Sequence, residues 1–175
     1  MNQILESISF EPEAGKLTLH GLRYILIRPG LISEVQKALE TYLPDAVQEI
    51  LANSAQNEGV VLASRLKEVF NYSEEQVLSS LAFLLGESGW GAVSVQMINL
   101  ETMELVIKIR ESPFAEEYGP SVTPVCHLLL GLLRGVGIGL FDCAVDGQEV
   151  QCAAKGDAAC LMLISGKPGL PPSGY

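Results

Sequence analysis

The sequence predicts an α+β fold in which an antiparallel sheet packs against a helical layer. Three observations predict it. Apolar and polar residues alternate with period two between residues 92 and 110, helical-period stripes fill residues 31–86, and strand-like runs broken by turn residues close the chain after residue 140. A length of 175 residues allows one domain that buries roughly 70% of its unfolded surface. Residues 1–165 are assigned to that domain, and the Pro/Gly-rich run at 166–175 to a flexible tail.

In chain order, SISFEPEAGKLTLHG reads as two short strands around a turn from Pro12 to Gly15, with Leu17 and Leu19 alternating against Lys16 and Thr18. After Pro29 and Gly30 the spacing becomes helical, because Leu31, Val35, Ala38, Leu39 and Tyr42 fall on one stripe. Pro44 ends that helix and suits the first turn of the next. The next carries Val47, Ile50 and Leu51 inward, weakens at Asn57 to Gly59, and resumes with Leu62, Leu66, Val69 and Phe70, as one bent helix or two. Ser73 followed by Gln76 has the spacing of a capping box. It predicts a helix from Glu74 to about Gly86 with Val77, Leu78, Leu81 and Leu85 buried.

Val93, Val95 and Met97, then Met103, Leu105, Ile107 and Ile109, alternate with polar residues, which predicts a hairpin turning near Asn99 to Thr102. Glu116, Glu117 and Tyr118 read as a solvated linker. An apolar helix from about Thr123 to Gly139 follows, with Gly131, Gly135 and Gly139 at intervals of four. Each glycine costs about 1 kcal/mol in a helix relative to Ala. That face therefore needs a compensating contact: close packing on a neighbouring element, or room for a ligand or a dimer partner. The last segment reads as a three-stranded meander with turns at Asp146-Gly147 and Gly156-Asp157.

Composition narrows the function. Hydrophobic residues make up 48% of the chain and charged residues 18%, so a large core or a greasy partner surface must absorb the excess. A formal net charge of −10 repels phosphate backbones and excludes nucleic acid as the expected partner. The run from Ser121 to Phe141 is interrupted by His127 and Arg134, which predicts a buried helix and no membrane span. Met1 to Phe10 lacks a basic stretch followed by an apolar run, so the expected compartment is the cytoplasm. In that compartment Cys126, Cys143, Cys152 and Cys160 are expected to be thiols or metal ligands.

A turn centred on Gly156 makes Cys152 and Cys160 directly opposed, so their sulfurs share one face. With a two-residue turn at Asp146-Gly147, Phe141, Cys143, Val145 and Val150 share that face with Met162 and Ile164. Cys126, near the start of the preceding helix, can reach the same sulfurs from above the sheet. Three thiolates and the Glu149 carboxylate then suit a closed, structural zinc site. Parity in an unbroken strand would point Glu149 away from Cys152, so a bulge or loop between them is required.

The spacing Cys126-x22-Glu149-x2-Cys152-x7-Cys160, with the run EVQCAAKGDAAC, resembles the carboxy-terminal signature of the 4-vinyl reductase domain family. Members occur in a bacteriochlorophyll-synthesis protein, in sensor modules of phenol- and xylene-responsive activators, and as free-standing proteins. Their fold is related to the small subunits of the TRAPP vesicle-tethering complex. The resemblance implies zinc held by Cys126, Glu149, Cys152 and Cys160, a pocket enclosed by helices and sheet, and a homodimer. Aromatic-sensing members meet a phenolic hydroxyl with His and Trp, but His20, His127 and Trp90 match none of those positions, and none is assigned that role.

The expected function is binding of a small hydrophobic molecule (an aromatic, an acyl chain or a tetrapyrrole) as a carrier or sensor. Periodicity assigns Leu81, Leu85, Trp90, Met97, Leu129 and Leu133 to the pocket. An accessory or enzymatic part in reducing the vinyl group of a chlorophyll precursor, and a TRAPP-like assembly subunit, are the alternatives. Neither a nicotinamide nor a flavin fingerprint is present, which weighs against catalysis. No catalytic residue is assigned: Cys126 and His127 are helix neighbours that point about 100° apart, and GVGIGL lacks the Lys-Ser/Thr of a phosphate loop.

Overall fold

The period-two segments do form strands, and the helical-period segments form helices, in the computed structural model, which describes residues 6–19 and 22–172. β1 (Ile8–Glu11), β2 (Lys16–Leu19) and β3 (Leu22–Tyr24) make a small antiparallel sheet. Helices α1 (Pro29–Tyr42), α2 (Val47–Phe70) and α3 (Glu74–Glu87) follow. The main sheet takes β4 (Ala92–Asn99), β5 (Glu104–Arg110), β6 (Val145–Gln151) and β7 (Cys160–Gly166), in the antiparallel order β4-β5-β7-β6. Between β5 and β6 lie the short helix α4 (Pro113–Tyr118) and helix α5 (His127–Phe141). The fold is α+β, with helices on one face of the larger sheet.

Alternation decides which face of the sheet is buried. Leu105, Ile107 and Ile109 on β5, with Cys160, Met162 and Ile164 on β7, are wholly buried in one cluster with α3 and α5. Each large apolar side chain among them contributes roughly 2 kcal/mol by leaving water. The helix α3 starts at the anticipated capping box: the Gln76 amide donates to Ser73 Oγ at 3.4 Å, and the Ser73 amide donates to Gln76 Oε1 at 2.9 Å. Val77, Leu78, Leu81 and Leu85 are its buried face, as expected.

α5 starts at His127, a turn later than expected, and is buried nearly all round. It lies between the main sheet and α2. A Cβ on Gly131 would sit 1.9 Å from Ala52 O, one on Gly135 1.9 Å from Gln56 O, and one on Gly139 2.7 Å from Ala63 Cβ. The glycine stripe is therefore backbone-to-backbone packing against α2, and it leaves no room for a ligand or a partner. α2 answers in kind: Gly59, expected to weaken it, lies inside one continuous helix because a side chain there would strike Leu132 O at 2.0 Å. Among the described residues no helix is long and apolar enough to cross a membrane.

Other expectations change. The apolar stripe of α1 faces outward, with Leu31, Val35 and Tyr42 exposed by 59%, 49% and 81%. Polar contacts turn the helix. Its buried residues are Ser33 and Gln36, Gln36 donates to Glu40, and the Tyr118 hydroxyl on α4 donates to Glu40 Oε2 at 2.5 Å. The expected linker at 116–118 is the end of α4, started by Pro113. β3 is a strand the sequence pattern did not reveal, while the β1-β2 turn falls where expected, with Gly15 donating to Pro12 O.

The closing segment is a strand pair, not a three-stranded meander. Asp146 and Gly147 pair with Ser165 and Ile164 inside β6. Gly147 serves contact instead of a turn, since a Cβ there would meet Arg134 Cγ at 2.6 Å. The real reversal is a 3-10 turn at Ala153–Lys155 closed by Gly156 at φ 95°. Of the expected tail, 173–175 lie outside the described residues, and Lys167 and Leu170 form backbone hydrogen bonds with Ala144.

Candidate metal centre and apolar cavity

Four buried donors converge at one end of the main sheet. Cys126 precedes α5, Glu149 lies on β6, Cys152 begins the 3-10 turn and Cys160 opens β7 opposite Ile109. One ligand atom from each lies within 4.8 Å of all the others. The parity problem at Glu149 is solved by the required irregularity: the β6-β7 register shifts between Glu149 and Gln151. Val150 is the extra residue and turns outward at 40% exposure, while Glu149 and Cys152 both face inward. The expected inward position of Val150 fails for the same reason.

The sulfurs are free thiols. Cys126 Sγ lies 3.6 Å from Cys160 Sγ, too far for a disulfide bond of about 2.05 Å. It suits two ligands of one tetrahedral ion, since metal–sulfur bonds of about 2.3 Å imply roughly 3.8 Å between sulfurs. Glu149 Oε2 accepts the Cys126 amide at 2.9 Å, whereas Glu149 Oε1 is buried and has no hydrogen-bond partner. A buried carboxylate oxygen without a donor is costly. A cation would satisfy it.

Electrostatics point the same way. Hydrogen bonds from Cys126 and Cys160 hold Cys152 well below the usual thiol range. Cys126 is pushed up by its contacts with Cys152 and then Cys160, and by burial. For Cys160 the contact with Cys126 lowers the pKa, but Cys152 and burial outweigh it and push it up to about 12. Burial, reinforced by the Cys152 sulfur, pushes the Glu149 carboxyl up to about 7. One negative charge thus concentrates on Cys152, and a bound dication would let the other donors ionise. The donor set fits a zinc-type ion. His127, beside Cys126, is outside the group; burial lowers its pKa. His20 lies outside the described residues.

Outer contacts orient the donors. The Cys152 amide donates to Asp157 Oδ2 at 2.8 Å, the Ala153 amide to Cys160 Sγ at 3.4 Å, and Ser112 Oγ lies 3.4 Å from Cys126 Sγ. Cys143 stands apart, 3.7 Å from Met103 Sδ.

An apolar cavity of about 390 Å³ opens on the other side of α4. Its walls are the small sheet (Ile8, Leu17, Leu19, Tyr24), the extended segment at 25–27, Pro29 and Ile32 of α1, and Trp90 with Phe114. The Trp90 and Phe114 rings meet edge to face at 5.3 Å. A second cavity of about 690 Å³ lies between α2 and α3 and shares Leu19 and Tyr24 with the first.

Of the residues assigned to a pocket by periodicity, Trp90 lines the first cavity. Leu81, Leu85, Leu129 and Leu133 sit in the core cluster, and Met97 is 41% exposed where the β4-β5 register shifts between Val95 and Met97. Sequence reasoning missed Ser112, Phe114 and Ile32. Ser112-Pro113 has the form of a helix start, and that signal could have placed Phe114.

Residues 105–165 match the model of the 4-vinyl reductase domain. No curated protein matches the sequence. Among solved structures, the phenol-responsive sensory domain of the transcription activator PoxR, with phenol, is 19% identical at TM-score 0.79, covering 94% of this chain and 87% of that one. A trafficking protein particle complex subunit 3 from Naegleria fowleri, covalently bound to palmitic acid, is 15% identical at TM-score 0.57, covering 81% and 96%. A vinyl-4-reductase family protein from Methanocaldococcus jannaschii is 14% identical at TM-score 0.51, covering 84% and 99%. At these identities the likeness is one of fold. The chain thus resembles the 4-vinyl reductase-like family, with the domain match over residues 105–165, and is related in fold to small TRAPP-complex subunits.

Proposed function

We propose that this protein binds a small apolar molecule in the cavity beside Trp90 and Phe114, and that a zinc-type ion held by Cys126, Glu149, Cys152 and Cys160 braces the wall behind it. The observation that carries the reading is the cavity. Its volume of about 390 Å³ is of ligand size, and aliphatic and aromatic side chains dominate its lining. The Trp90–Phe114 pair offers a ring edge and a ring face to a flat or extended guest. Neighbours of the same fold supply support, one having been solved with phenol and one covalently bound to palmitic acid. The Cys/Glu group is closed by four protein donors, the arrangement of a structural ion site.

The expected partner is a second copy of the chain. The outward stripe of Leu31, Val35 and Tyr42 on α1 supports this, since contiguous exposed apolar area marks interaction surfaces. The test is organic extraction of the purified protein with mass spectrometry, metal analysis on the same sample, and titration with the neutral probe N-phenyl-1-naphthylamine followed through Trp90. A recovered apolar compound, or saturable probe binding weakened by Phe114→Ala, is the expected result. Probe binding unaffected by Phe114→Ala and by Trp90→Leu would overturn the assignment of the cavity.

A further inference from the structure

Ser112 occupies the N-cap position of α4, where a serine hydroxyl ordinarily accepts a backbone amide of the first helical turn. Here it makes no such bond. Its hydroxyl is instead directed to the Cys126 sulfur at 3.4 Å, and the residue is only 2% exposed, so water is not the alternative partner. The hydroxyl therefore has two mutually exclusive uses: the sulfur, or the amide ends of α4. A thiolate bound to a cation is a strong acceptor and a neutral thiol a weak one, so the state of the sulfur decides between them.

The helix that Ser112 starts is a wall of the apolar cavity. Pro113 and Phe114 line it, and Phe114 meets the Trp90 ring. A second tie joins the same region to the donor group: the Ser121 amide, just past α4, donates to Ala154 O in the 3-10 turn that follows Cys152, at 2.8 Å. α4 is also fastened to α1 through Tyr118 and Glu40. A displacement of its first turn is thus transmitted to the Phe114 ring, while its far end stays held.

We propose that cation occupancy at Cys126, Glu149, Cys152 and Cys160 sets the position of α4, and through Phe114 the shape of the apolar cavity, with Ser112 as the relay. The proposal rests on the reading that those four residues hold a cation. Ser112 is a positioning residue: it touches neither the cavity nor the ion. The coupling is reciprocal, so an apolar guest that favours one position of Phe114 also shifts the affinity for the metal.

The chain's single tryptophan, Trp90, reports on the cavity directly. Cobalt(II) titrated into the metal-free full chain gives two signals, the cobalt–thiolate absorption band for loading and Trp90 emission for the cavity. In the wild type the two are expected to change together. In Ser112→Ala the band remains and the matching change in Trp90 emission is lost, and Ser112→Thr restores it. Because removal of the ion can loosen the fold, a second comparison uses cobalt-loaded proteins only: acrylamide quenching of Trp90 is expected to differ between wild type and Ser112→Ala. A normal band with Trp90 emission unmoved, or identical responses and quenching in wild type and Ser112→Ala, overturns the coupling. Absence of any cobalt–thiolate band overturns the cation reading, and the coupling with it.

Discussion

The two ends of this molecule treat apolar residues in opposite ways. In the body formed by the main sheet, α3 and α5, alternation and helical stripes lead straight to burial: Leu105, Ile107 and Ile109 are fully enclosed, as are Met162 and Ile164. In the amino-terminal region, α1 buries Ser33 and Gln36 and leaves Leu31, Val35 and Tyr42 outside, while Leu17 and Leu19 of the small sheet line a cavity in place of a packed interior. A periodic stripe records that a helix has an apolar face, and says nothing of what will cover it. The first region is self-sufficient; the second carries surface suited to a guest and a partner.

The sharpest contrast comes from the donor group. Cys152→Ser removes the sulfur on which negative charge concentrates, and is expected to abolish metal retention and lower stability by on the order of 4 kcal/mol. Metal analysis and a denaturant titration measure both. Retention of a full equivalent of metal would remove the closed-site reading.

Gly135→Ala comes next. The new methyl would be 1.9 Å from Gln56 O, a backbone atom that cannot yield without separating α2 from α5, so a loss of about 3 kcal/mol is expected from overpacking. A midpoint of urea unfolding equal to that of the wild type would mean that the two helices sit further apart.

Smaller effects lie where α1 meets the body. Tyr118→Phe leaves Glu40 without its donor and is expected to cost about 1 kcal/mol. Burial and the bond to Glu40 push the Tyr118 hydroxyl up to about 12 in the folded protein. A group raised on folding contributes stability that is complete below its unfolded value near 10 and is lost as pH rises toward 12. The wild type should therefore lose stability faster than Tyr118→Phe across that alkaline window, as read by melting temperature against pH. Val35→Ser on the outward stripe should change monomer stability by no more than about 0.5 kcal/mol while weakening self-association, read by light scattering over a concentration series. A loss comparable to that of a core substitution would show that the stripe is covered within one chain.

The donor group was legible because its evidence is local and stereochemical. Cys126, Glu149, Cys152 and Cys160 stand at fixed spacings, and parity alone demanded a bulge after Glu149, found between Glu149 and Gln151. The capping box at Ser73 and Gln76, and the buried face of α3, were legible for the same reason. Asp146-Gly147 misled because a glycine serves a turn and a close approach equally well in sequence; here it admits the Arg134 side chain. The cavity was not legible, because its lining comes from separate stretches scattered between Ile8 and Phe114, none periodic with another.

By itself, then, the sequence determined the secondary elements of the body, the identity of the buried sheet face and the membership of the Cys/Glu group, since each follows from side-chain period, capping chemistry or ligand spacing along a few residues. The tertiary structure decided the outward turn of α1, the intimate contact of α2 with α5, the position of Ser112 against Cys126 and the space beside Trp90. These depend on which distant surfaces meet, and the free energy of such a meeting belongs to the pair and to neither segment alone.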